Sequence, residues 1–295
     1  MRIITRGDFD GLVSCVLLSL VEKIGEIRFA HPKDVGDGKV EAGPDDIVVN
    51  LPYIKDCGLW FDHHLSEEDK IAGREFQGRF ARAPSCARVI YDYYADRREA
   101  FAPLADLLEA VDRLDSANLA LDDVLRPEGW ILLGLTLDPR SGLGPEFRDY
   151  FRWLVDFVRE RRLDEVMALP EVKKRTDRVR FEQERCKEIL ARHARLDGNV
   201  IVTDLRSAEE MPVGNRFLVF TMFPEANVEM RILRGFQGAT TVAVGHSIFN
   251  RSCPASAGDL CRRHGGGGHR GAGTCQLAPD QAEAKIAGIL AELKR

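Results

Sequence analysis

The sequence predicts an α/β protein of two domains, and three observations carry that expectation. Strand-like and helix-like segments alternate from the start of the chain. Polar, chemistry-bearing residues stand directly after the strand-like runs. A second alternating series then restarts near Asn199, beyond a long charged stretch. With 295 residues and 44% hydrophobic content, the chain can bury two cores.

Residues 2–5 read as a strand, 11–24 as an apolar helix, and 26–30, 47–51 and 59–61 as further strands. Such alternation favours a parallel sheet, whose carboxyl edge collects ligand-binding groups. "GPDDIVVNLPY" and "KDCGLWFDHH" place polar residues at that edge, so Asp8, Asp10, Asn50, Asp62, His63 and His64 are expected to converge. Ser85 is placed to cap "CARVIYDYYADR", residues 101–111 are amphipathic, and 130–137 are apolar enough for burial. Residues 145–162 and 171–196 read as charged helices that form a connector. The strands "VIVTDL", "VEMRILRG" and "TTVAVGHSIF" follow, then a helix at 257–263, a glycine run and an amphipathic helix over 279–293.

Forty-two basic against 47 acidic residues give a net charge of -5, which argues against a protein that coats long nucleic acid and leaves room for a small anionic substrate. Seven cysteines without a Cys-x-x-Cys pair fit a reducing compartment and offer no zinc-ribbon spacing. Arg2 and Arg6 before the apolar residues 12–21 imitate a secretory signal, but Asp8 and Asp10 interrupt it and no small-residue cleavage site follows. No other stretch approaches membrane-spanning length. A cytoplasmic protein with no membrane partner is expected.

Asp8 and Asp10 admit two readings. They cap the helix that follows and favour its positive end, or they face divalent ions that flank a water and a phosphoryl oxygen. "WFDHH" favours the second. A histidine pair beside a carboxylate supplies an imidazole ligand, an acceptor that fixes a ring tautomer and a donor for a phosphate. Adjacent histidines on a strand point to opposite faces, so a local twist is needed for both to serve one site. In "RRHGGGGHRGAG", Gly266, Gly267 and Gly268 let backbone N–H groups approach an anion, while His269 adds a hydrogen bond or stacks on a base. The other reading, a flexible linker, is opposed by the preceding helix and the following strand "AGTCQL". Arg251 in "SIFNRS" can grip a phosphate bidentately with Asn250 beside it, or be a plain exposed charge.

Asp-x-Asp early in the chain, then "FDHH", then "GGGGHRGAG" near the end make the sequence resemble the DHH phosphoesterase superfamily with its DHHA1 C-terminal domain, and within it the exopolyphosphatase-related subgroup. The resemblance covers almost the whole chain. It implies a parallel-sheet DHH domain over 1–140, a helical connector over 141–198 and a smaller DHHA1 α/β domain over 199–295. It also implies a hydrolase using manganese, with magnesium or another divalent ion as a substitute. The substrates it implies are phosphodiesters of short oligonucleotides or of linear or cyclic dinucleotides, cleaved between the domains. Two alternatives stand beside that activity: hydrolysis of polyphosphate, and a weakened nucleotide-binding regulator.

Carried over, the resemblance makes Asp8, Asp10 and His63 metal ligands, puts His64 near the substrate phosphate and sets Asp62 behind it. A further acid comes from "AVDRLDSAN", where Asp112 and Asp115 lie three apart and would share a helix face. Asp115 is narrowly preferred because "DSAN" looks like a helix end, with Asp112 nearly equal. The glycine motif, His269, Asn250 and Arg251 are implied to bind substrate. Thr5, Arg6 and Gly7 stand where many relatives carry a histidine, and Asn50 stands where a bridging aspartate is expected. A neutral oxygen holds two close dications less well than an anion, so one tightly held ion is expected, with a second arriving with substrate. The expected partner is a small phosphate-containing molecule and not long duplex nucleic acid, with a homodimer left open.

Overall fold

A computed structural model describes residues 1–137 and 144–294. The chain divides into two compact units, Met1–Asn118 with Pro127–Thr176 and Leu119–Arg126 with Asp177–Arg295. The expected boundary at residue 140 lies outside the described residues. The stretch read as a connector contributes to both units: the helix Pro145–Glu160 belongs to the first, and the helix Pro170–His193 runs from the first into the second.

The first unit is built on a wholly parallel sheet of strands β1 (Arg2–Thr5), β2 (Glu26–Phe29), β3 (Asp46–Val49), β4 (Leu59–Asp62) and β5 (Gly78–Phe80), in the order β2-β1-β3-β4-β5. Burial on both faces selects continuous apolar runs, and "DIVV" in β3 is buried at all four positions. Ile4, Val48 and Trp60 stand level and form a core with Val35, Leu51 and Ile54. The helix Phe9–Val21, buried from Phe9 through Leu18, packs against the helices Cys86–Tyr93 and Pro145–Glu160. Pairing of Thr5 with Val49, and of Val49 with Phe61, brings the residues after β1, β3 and β4 out at one edge.

In the first unit the reading is corrected at one helix and one strand. The helix expected over 101–111 is broken, because Pro103 has no N–H to continue the ladder. Arg98–Phe101 ends, a short 3₁₀ turn follows, and a new helix runs Ala105–Asp115. Strand β5, absent from the reading, contains Gly78, whose place only glycine fits: a Cβ there would lie 2.1 Å from the Trp60 carbonyl oxygen.

The second unit holds a mixed sheet in the order β10-β11-β9-β8-β7-β6. Its strands are β6 (Ala194–Asp197), β7 (Val200–Asp204), β8 (Val228–Arg234), β9 (Thr240–His246), β10 (Gly267–His269) and β11 (Ala272–Leu277). The helices Ala257–Arg263 and Ala282–Leu293 close its core, joining Leu260, Ile286 and Ile289 to Val202, Met230 and Val244. The helix expected to reach residue 196 stops at His193, and 194–197 turns back as β6 through Asp197-Gly198-Asn199, with Gly198 at φ 68°. An Asp-Gly pair between strand-forming runs is a hairpin signal, and it outweighs the helical charge pattern that precedes it. Among the described residues no helix is long and apolar enough to cross a membrane.

Candidate metal centre

The strand-to-helix turn at Asp8 is tight. Its carboxylate caps the helix Phe9–Val21 by accepting from the Gly11 N–H at 2.9 Å, and a Cβ on residue 11 would lie 2.1 Å from the Arg6 carbonyl oxygen. Asp8 Oδ1 also accepts from the Asn50 side-chain amide at 2.9 Å, and Asp8 Oδ2 pairs with Arg6 Nε at 2.9 Å. Asn50 is buried and has φ 55°, a left-handed conformation that asparagine tolerates better than most residues.

Asp10 turns inward. Only 2% exposed, it accepts from the backbone N–H groups of Cys86 (2.8 Å) and Ala87 (2.9 Å) at the start of the helix Cys86–Tyr93. Ser85 caps that helix and also donates to Asp112 at 2.6 Å.

His63 supplies the decisive atom. Its Nδ1 lies 3.1 Å from the Ala83 carbonyl oxygen, which can only accept, so Nδ1 carries a proton and Nε2 is the ring nitrogen left to serve as a ligand in the neutral ring. That Nε2 is buried without a hydrogen-bond partner, 3.6 Å from Asp10 Oδ2 and 3.2 Å from Asp115 Oδ2. Asp10, His63 and Asp115 each offer a ligand atom, all within 4.8 Å of one another. Burial, then the charges of Asp115 and Asp8, push the Asp10 carboxyl well above its ordinary range against the pull of its two backbone donors. Burial raises Asp115 as well, with His63 opposing and Asp8 adding to the rise. Two strained carboxylates and an unused imidazole lone pair around one point fit a divalent cation, which would satisfy all three.

The other candidates separate. Asp112 is drawn away by Ser85 and by Arg88 Nε at 2.8 Å, while Asp115, the last residue of its helix, reaches His63. Asp62 is fully buried and accepts from His64 Nδ1 at 2.7 Å, while the His64 side chain stays 40% exposed. Burial alone would lower the His64 pKa, but the bond to Asp62 and its charge raise it. The two histidine rings lie 4.5 Å apart, because β4 ends at Asp62 and both follow it into the loop.

In the second unit, the His246 N–H donates to the Gly271 carbonyl at 2.9 Å, joining the segment after β9 to the β10–β11 turn. Asn250 donates to the Glu225 carbonyl at 3.1 Å and accepts from Ser252 Oγ at 2.7 Å. Arg251 is exposed, with Nε donating to the Ile248 carbonyl at 3.2 Å, and the exposed His269 accepts from the Gly271 N–H at 3.2 Å. The glycines have a packing reason. A Cβ at 266 would lie 2.0 Å from the Thr274 oxygen, at 268 2.2 Å from the Ala272 oxygen, and at Gly258 2.5 Å from the Gly268 carbonyl carbon. At Gly267 nothing lies within 4 Å. The motif is an ordered hairpin against a helix, not a linker. Sequence reasoning places Ser85 as the cap of its helix, as observed, but gives no site role to Arg6, Ser85, Arg88 or the Ala83 carbonyl. It passed over His246 too, although "VGHSIF" ends a strand; its buried Nε2 has no hydrogen-bond partner, and burial lowers its pKa.

No family model matches the chain, and no curated protein sequence is similar to it. Solved structures are. The pGpG-specific phosphodiesterase PggH from Vibrio cholerae is 37% identical, with a TM-score of 0.87, over 99% of this chain and 98% of that one. An exopolyphosphatase-related protein from Bacteroides fragilis (10% identity, TM-score 0.53, 99% of this chain and 92% of that one) shares the fold. So does Mn²⁺-bound RecJ from Thermus thermophilus (18% identity, TM-score 0.54, 99% of this chain and 52% of that one). The chain belongs to the DHH phosphoesterase superfamily. It is a metal-dependent phosphoesterase, a hydrolase whose parallel-sheet unit carries the DHH motif and whose mixed-sheet unit is the DHHA1 domain.

Proposed function

We propose that this chain hydrolyses short linear dinucleotides of the pGpG type, and that Asp10, His63 and Asp115 hold the manganese ion it uses. The observation that carries the reading is the buried, unpartnered Nε2 of His63 facing two carboxylates. Likeness to PggH over nearly the full length of both chains supports the substrate class. A divalent ion held there lowers the pKa of water and offsets charge on phosphoryl oxygens.

The protein's own groups do the rest. The Ala83 carbonyl fixes the His63 tautomer, and the N–H groups of Cys86 and Ala87 fix the Asp10 carboxylate. Asp62 orients the His64 ring and favours its charged form, and the exposed edge of His64 faces the scissile phosphate as a donor. Arg251 and His269 are offered as substrate-binding groups of the DHHA1 domain, on the family resemblance. Water adds to phosphorus, the bond to the 3′-oxygen breaks, that oxygen takes up the proton, and pGpG gives two molecules of GMP.

The test is release of GMP from pGpG by the full chain with manganese and after chelation. Asp10→Ala and His63→Ala should each lose at least about a hundredfold in kcat/KM, since even residues behind a ligand are worth 10–100-fold. Arg251→Ala and His269→Ala should raise KM for pGpG while leaving manganese affinity alone. Absence of manganese-dependent GMP release, with polyphosphate consumed instead, would overturn the substrate class.

A further inference from the structure

We propose that Arg6 is a resident cation of this centre: paired with Asp8, it supplies the positive charge that a second metal ion would bring, and it binds the substrate phosphoryl group beside a single metal ion. Only the substrate arm rests on the dinucleotide reading.

The argument starts from Asp8, whose carboxylate already has its partners. Oδ1 accepts from the Gly11 N–H and the Asn50 side-chain amide, each at 2.9 Å, and Oδ2 pairs with Arg6 Nε at 2.9 Å. An ion seated on Asp8 would have to displace Arg6 and would face the N–H of Asn50. Asp8 accordingly stands outside the Asp10, His63 and Asp115 cluster. Asn50 is held in this role by burial at 2% exposure and by its place directly after β3.

Arg6 is also placed for substrate. Its backbone is clamped where the Arg6 carbonyl meets Gly11, its side chain is 39% exposed, and a guanidinium keeps its charge at any working pH while its planar fork matches two phosphoryl oxygens.

The experiment counts metal as well as turnover. The full chain is stripped with chelator and dialysed against Mn²⁺, with and without GMP, and the metal per chain is measured alongside calorimetric GMP binding. The unaltered chain should hold one ion under both conditions, and R6M with N50D should hold two. R6M alone should weaken GMP binding and raise KM for pGpG at least tenfold, with Mn²⁺ affinity at the first site unchanged or tighter, and R6K should recover part of the loss. Two ions in the unaltered chain, or unchanged GMP binding in R6M, would overturn the proposal. If R6M does not fold, the metal count of the unaltered chain and the partial loss in R6K still decide. A chain that holds one ion and binds GMP through Arg6 but cleaves no dinucleotide would leave this inference standing and remove the substrate reading.

Discussion

His63 and His64 are neighbours with opposite chemistry, and one hydrogen bond apiece decides which does what. The Ala83 carbonyl accepts from His63 Nδ1 and leaves Nε2 facing the carboxylates, whereas Asp62 favours the charged form of His64. Because the folded pKa of His64 is raised, its pairing with Asp62 contributes fully below the unfolded value of about 6.5 and is lost as pH rises through the folded value. In the metal-free chain, the gap in urea midpoint between wild type and Asp62→Asn should therefore be wider at pH 6 than at pH 9. NMR of the ring protons should show His64 titrating lower in the variant. A gap that does not change with pH would mean that Asp62 acts by packing alone.

At the scale of elements, close backbone approach governs both the Asp8 turn and the glycine hairpin. Gly11 lets the Asp8 turn fold onto Arg6, and Gly258 lets the helix Ala257–Arg263 lie on the glycine hairpin. Gly258→Ala puts a methyl 2.5 Å from the Gly268 carbonyl carbon, where the obstacle is backbone and not a flexible side-chain end. Overpacking of this kind costs about 1–3 kcal/mol. Urea unfolding should show that loss, together with a higher KM for pGpG and intact manganese binding. A neutral substitution would mean that the hairpin shifts freely, and the packing account of these glycines would fall. The sequence reading gives the glycines to an anion, whereas the fold uses Gly266 and Gly268 for backbone contact and leaves Gly267 open.

Over the whole molecule, the charge balance predicts a short ligand. At a net -5, with most arginines of the helix Pro170–His193 paired to acids within a turn or to Glu210, there is little to track a long polyanion. Each phosphate neutralised on a single strand adds about 0.7 to the salt slope, so pGpG should bind with a log-log slope of about one to two. A twenty-mer should bind no more tightly than the dinucleotide at physiological salt. Tighter binding of the twenty-mer with a steep slope would point to a nuclease that follows long strands.

The early alternation of strand and helix signals was enough to give a parallel sheet with Asp8, Asp10, Asn50 and Asp62 to His64 at one edge, because period and strand-end position are local properties that a chain writes in order. The choice between Asp112 and Asp115 was not. Both lie on one helix, and Ser85 and Arg88, distant in sequence, take one and leave the other to His63. The strand β6 was legible in "RLDGN" but lost to the charged helical pattern before it. The state of Asp8 was legible only in part: its cap on the following helix is a local reading, but the Asn50 amide reaches it only through the pairing of β1 with β3. Local pattern sets which groups arrive at an edge, and three-dimensional packing decides which of their lone pairs remain for a metal ion.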